Sequence, residues 1–100
     1  MPEHPLATME KIDPSFMEHV KVTNQLVYCD GALSRKIKLL MAMAFDAAHG
    51  AQGGVRALAQ SAMREGATPA EIAEALRVAY HLAGVGSLYV GSLAFKEVLG

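Results

Sequence analysis

The chain has one cysteine, Cys29, and no tryptophan in 100 residues. A lone cysteine excludes an internal disulfide framework and any dithiol pair within the chain. A surplus of charge of one sign is also missing: nine Lys and Arg stand against ten Asp and Glu, for a net charge of −1 with histidine neutral. The densest basic stretch is only Arg35-Lys36-x-Lys38. Neither nucleic acid nor a charged membrane surface therefore has an electrostatic footprint here. No uninterrupted apolar run reaches the roughly 18 to 20 residues that a membrane span needs. The segment from Met1 to Asp13 mixes prolines with charged residues and has no signal-peptide core. These absences set the expectation of a cytoplasmic protein with no nucleic-acid or membrane partner.

What the chain does have is apolar side chain: 52% of residues are apolar and 19% charged. A chain of this length fits one domain and buries a smaller fraction of its surface than a larger domain would. So much apolar surface on a small domain is resolved most directly by association with further copies, and a homo-oligomer is expected.

Residues 1–12 read as an irregular arm, followed by a single domain over 13–100. Asp13-Pro14 reads as an N-cap with proline at the first helical position. The helix it opens runs from about 14 to 28, with Phe16, Val20, Thr23 and Val27 on one face. Asp30-Gly31 closes it. A second helix, roughly 33 to 49, carries Leu33, Ile37, Leu40, Met41, Ala44, Phe45 and Ala48 at a 3.6-residue period. Gly50, Gly53 and Gly54 then read as a break. A third helix carries Val55, Leu58, Ala59, Ala62 and Met63 and ends at Gly66. Thr68-Pro69-Ala70-Glu71 is a capping box that starts a fourth helix, whose stripe is Ile72, Leu76, Ala79, Tyr80 and Ala83. After Gly84-Val85-Gly86 a last helix covers about 87 to 98. No strand alternation appears, so the fold class is all-α, a bundle of about five or six helices.

Around the second helix the apolar stripe fills one side. Leu39, Ala42, Met43, Asp46 and His49 fill the other. A helix apolar nearly all round is buried on both sides. The reading is that the first stripe meets the domain's own core and the second meets another subunit. Asp46 and His49 would then lie at an interface or in a cleft lined by Met43 and Leu39.

Three stretches resemble one known family. They are Asp30-Gly31-Ala32-Leu33-Ser34-Arg35-Lys36, then Ala62-Met63-Arg64-Glu65-Gly66-Ala67-Thr68-Pro69-Ala70-Glu71-Ile72 with Glu74-Ala75-Leu76, and Ala79-Tyr80-His81-Leu82-Ala83-Gly84-Val85. In order and spacing they resemble the carboxymuconolactone decarboxylase and alkyl hydroperoxidase D-like family, over roughly residues 30 to 95. The resemblance implies an all-helical subunit that assembles as trimers or hexamers. Peroxidase members carry Cys-x-x-Cys-x-x-x-His before the Gly-Ala-Thr junction. By that correspondence the two cysteine positions fall on Ala51 and Gly54, the histidine on Leu58, and an earlier glutamate near Leu39. No member of that relay is present, so the resemblance carries over fold and assembly but no catalytic residue.

The candidate site residues come from the chain itself. Asp46 and His49 are three apart and neighbours on a helix. A carboxylate beside an imidazole can orient it and leave the other ring nitrogen as an acid/base. In the competing reading His49 caps the helix carbonyls, with Gly50 as the left-handed residue. His81 either joins His49 across an interface or is simply solvated. Asp46, His49 and His81 lack close metal-ligand spacing, and no metal is expected. The glycines fit neither the phosphate-loop nor the dinucleotide pattern, so no cofactor is expected. Cys29 reads as a small buried hydrophobe, with one-cysteine peroxidase chemistry as the alternative.

Function at this level has three readings. The first is a carboxymuconolactone decarboxylase-like protein acting on a small organic acid near His49, through a His49–Asp46 pair. The second is a non-catalytic oligomeric binding or scaffold member. The third is hydroperoxide reduction.

Overall fold

The computed structural model describes residues 6–100, which form six α-helices: α1 (Ala7–Ile12), α2 (Pro14–Tyr28), α3 (Arg35–Ala48), α4 (Gln52–Arg64), α5 (Pro69–Ala83) and α6 (Gly86–Leu99). No strand occurs among the described residues. Side-chain oxygens fix three of the starts. Asp13 Oδ1 accepts from the Phe16 N–H at 3.4 Å, Ser34 Oγ from the Ile37 N–H at 3.2 Å, and Thr68 Oγ1 from the Glu71 N–H at 3.1 Å. The Thr68 box is complete, because the Thr68 N–H donates to Glu71 Oε1 at 2.9 Å. Helix α3 stops at Gly50, whose φ of 78° lets the Ala51 N–H reach back to the Asp46 carbonyl at 2.8 Å.

Helices α3, α4, α5 and α6 form the body, with α3 against α4 and α5, and α6 across α4 and α5. Met43, Val55 and Ile72 are the largest fully buried side chains. Ala59 and Ala62, both fully buried, let α4 approach its neighbours closely. Helix α1 packs on α2, and α2 touches the body lightly at α3. Among the described residues no helix is long and apolar enough to cross a membrane.

Polar ties also join the body helices. Lys36 Nζ meets Glu71 Oε2 at 2.9 Å between α3 and α5. Glu97 on α6 takes Arg56 at 2.7 Å and Gln52 Nε2 at 3.0 Å from α4. The Thr68 N–H bond, with Lys36 beside it, holds the Glu71 carboxyl below its ordinary value of 4.5. The Arg56 bond, then the Gln52 bond, does the same for Glu97. A carboxyl depressed in the folded state stabilises the fold above the unfolded value, and that contribution is lost as pH falls through the depressed value. Thermal unfolding is therefore expected to hold level down to about pH 5 and to weaken below it. The Glu71→Gln/Glu97→Gln variant should show a shallower acid loss; an unchanged acid slope would rule out these two groups as its source.

Several expectations are corrected. The segment read as an irregular arm contains α1 at residues 7–12, where Ala7, Met9, Glu10 and Lys11 are good helix formers; residues 1–5 of that arm lie outside the described residues. On α2 the only buried residue is Met17, and Phe16 and Val27 face outward. Gly53 and Gly54 do not break the chain but lie in the first turn of α4. Tyr80 is not core: it is 48% exposed, because the buried line of α5 is Ile72, Leu76 and Ala79 and Tyr80 lies one residue round from it. Cys29 is exposed.

The core-facing side of α3 is not the one expected. Leu39, Met43 and Ala47 are buried, together with Leu40 of the expected stripe, whereas Ile37, Met41 and Phe45 of that stripe are exposed. Both faces are apolar, so periodicity finds the helix without saying which side meets α4.

Candidate functional site

His49 is the C-cap residue of α3 and is exposed. Its Nδ1 lies 2.8 Å from the Phe45 carbonyl oxygen. A carbonyl only accepts, so Nδ1 carries the proton, and Nε2 is the acceptor of the neutral ring. His49 stands at the edge of a cavity of about 330 Å³ lined by Met41, Ala44, Phe45, Ala48, Val78, Ala79 and Leu82. It is the only polar side chain there.

Asp46, half-buried, points elsewhere. Its carboxylate rests against Gly54: a Cβ at that glycine would overlap Asp46 Oδ2 and lie 2.9 Å from its Cγ. Gly54 thus makes room for the carboxylate. The N-cap of α4, Ala51, offers no side-chain cap, and a negative group beside the first turn of a helix is favourable there. No hydrogen bond joins Asp46 to His49; the imidazole is oriented by Phe45.

His81 is exposed on α5 and does not line the cavity beside His49. Among the described residues no three His, Cys, Asp or Glu side chains gather as a metal site. The Cys29 thiol donates to the Leu26 carbonyl at 3.2 Å.

A second cavity, of about 300 Å³, lies between α2, α3 and α4. Asn24, Gln25 and Tyr28 line it from α2, Arg35 and Leu39 from α3, and Ala57, Leu58 and Ser61 from α4. The side chains of Asn24 and Gln25, both exposed, and of half-buried Ser61 have no hydrogen-bond partner among the described residues. The Arg35 guanidinium is held loosely: NH1 donates to the Tyr28 carbonyl at 3.4 Å, and Nε lies 3.5 Å from Glu65 Oε2. A guanidinium has five N–H donors, so most remain for another acceptor. Leu39, Ala57 and Leu58 supply the apolar part of its lining.

Sequence reasoning missed this cleft because its polar residues sit on three helices with no motif spacing between them. The available signal was indirect: Asn24 and Tyr28 stand one turn apart on α2.

The fold is all-helical, with a small cleft between α2, α3 and α4. The family described as the carboxymuconolactone decarboxylase family matches residues 14–97, and the chain belongs to it. Among solved structures it is similar to the apo crystal structure of a carboxymuconolactone decarboxylase family protein from Legionella pneumophila. That similarity has a TM-score of 0.83 at 32% identity, and covers 91% of this chain and 81% of the other. No curated protein matches the chain.

Proposed function

We propose that the chain binds a small organic acid in the cleft between α2, α3 and α4, with Arg35 as the anchor for its carboxylate. The observation that supports this most is a loosely held guanidinium beside three polar side chains without partners, above an apolar floor. Arginine meets carboxylates through two parallel hydrogen bonds. A cavity of about 300 Å³ stands at the small end for ligands, so the acid is small. The lining holds no histidine, cysteine or carboxylate, which favours a binding member over an acid–base catalyst.

Benzoate fits the chemistry, with a carboxylate for Arg35 and a ring for Leu39 and Leu58; benzamide is its uncharged match. Titrations followed by NMR should show benzoate shifting resonances of Arg35, Tyr28 and Ser61 more strongly than benzamide does. Arg35→Gln should weaken benzoate roughly tenfold or more, the range of a charge-assisted hydrogen bond, and leave benzamide unchanged. Equal binding of the two probes would sink the reading.

A second reading places chemistry at His49, on the strength of an Nε2 acceptor beside an apolar cavity. It requires turnover of a bound acid that disappears in His49→Ala. Hydroperoxide reduction would rest on Cys29 alone, with no second thiol in the chain to resolve it.

The protein is further proposed to act as a homo-oligomer, a trimer or hexamer. Nineteen large apolar side chains are exposed among the described residues. Ile37, Met41 and Phe45 of α3, with Val78 and Leu82 of α5, gather into one surface. A contiguous apolar patch of this kind marks an interface, and a second copy of the chain is the occupant proposed.

A further inference from the structure

We propose that α2, carrying α1 with it, is a hinged wall that opens the polar cleft and closes over its ligand. The proposal rests on the ligand reading of that cleft. Helix α2 has 15 residues and buries only Met17, whereas α5, also 15 residues long, buries Ile72, Leu76 and Ala79. Its polar ties to the body sit at one end. The Tyr28 carbonyl accepts from Arg35 at 3.4 Å, the Cys29 carbonyl from Lys38 Nζ at 2.7 Å, and Asp30 Oδ1 from the Arg35 backbone N–H at 2.7 Å. At the middle of α2, Lys21 pairs with Glu10 of α1 at 3.1 Å, a tie within the arm formed by α1 and α2 that does not reach the body. Residues 29–34, between α2 and α3, are non-helical and form the hinge.

An element with few buried apolar contacts opens at low free-energy cost compared with the core. The cleft is built across that division. Asn24, Gln25 and Tyr28 belong to the arm, and Arg35, Leu39, Leu58 and Ser61 to the body. A ligand touching both walls binds the closed state better than the open one and shifts the arm towards closure. Arg35 links the two events, since the same guanidinium holds the Tyr28 carbonyl and faces the ligand.

Amide hydrogen exchange on the full chain tests this, with benzoate as the probe and NMR shifts as an independent record of binding. In the unliganded protein, amides of residues 18–28 should exchange at least about tenfold faster than those at the centres of α3 and α5. Lys38→Ala, which removes one hinge tie, should speed exchange in α2 and leave α5 unchanged. Saturating benzoate should slow α2 severalfold and leave α5 unchanged. Exchange in unliganded α2 as slow as in α5 overturns the hinge, whatever binds. Benzoate that shifts cleft resonances without slowing α2 overturns closure and leaves the ligand reading standing. No shift with benzoate removes the ligand reading and closure together, while the exchange rates of the unliganded protein still decide the hinge.

Discussion

Phe45→Glu is expected to leave the proposed oligomer as a folded monomer of 10.6 kDa. Phe45 is 64% exposed, on the outer face of α3 beside Met41 and across from Val78 and Leu82. A polar substitution at so exposed a position normally changes the stability of a lone domain by no more than about 0.5 kcal/mol. If a second copy covers the patch, the same change buries a carboxylate in an apolar seam. That costs several kcal/mol, enough to shift association by orders of magnitude. Light scattering on the wild type at low micromolar concentration should give a multiple of the chain mass, and the variant should give a single copy with unchanged helical circular dichroism. A wild type that is monomeric at that concentration would refute the assembly, and an undiminished mass in the variant would place the seam elsewhere.

Gly91→Val should cost about 3 kcal/mol, because it forces α5 and α6 apart. Gly91 is buried on α6 and faces Leu76. A Cβ there would stand 2.6 Å from Leu76 Cδ2, 2.9 Å from Cδ1 and 3.2 Å from Cγ. Even the branch point of the leucine is in the way, so a rotation of its tip does not clear the space, and Leu76 is itself buried. The intrinsic helical gain on replacing glycine, at most about 1 kcal/mol, does not offset the overlap. For a domain of this size the midpoint should fall by roughly 12–24 °C. Leu76→Ala alone should also destabilise, by about 2–5 kcal/mol through the cavity it leaves. In the double variant the valine occupies that cavity, and the combined loss should be well below the sum of the two. Additive losses in denaturant titrations would show that the two side chains do not compete for one space.

Two helix starts were legible in the sequence because they are written in local chemistry, whereas α1, which has no side-chain cap, was not. Asp13-Pro14 and Thr68-Pro69-Ala70-Glu71 each supply a side-chain acceptor and a preset φ, and their helices start where expected. The orientation of α3 was not legible. Leu39 and Met43 on one side and Ile37, Met41 and Phe45 on the other are equally apolar, and only the packing of α4 and α5 decides between them. Proximity on a helix was also a poor guide to side-chain pairing. His49 and Asp46 are one turn apart, yet the backbone carbonyl of Phe45 and the open backbone at Gly54 draw them in different directions. The polar cleft depends on three helices meeting, and none of them carries its signature alone.

The contact between Asp46 and Gly54 also ties the two positions together. Any side chain at 54 meets the Asp46 carboxylate before it meets anything else. What position 54 can hold is therefore decided at position 46, on a different helix, and a larger residue at 54 calls for a smaller or displaced one at 46.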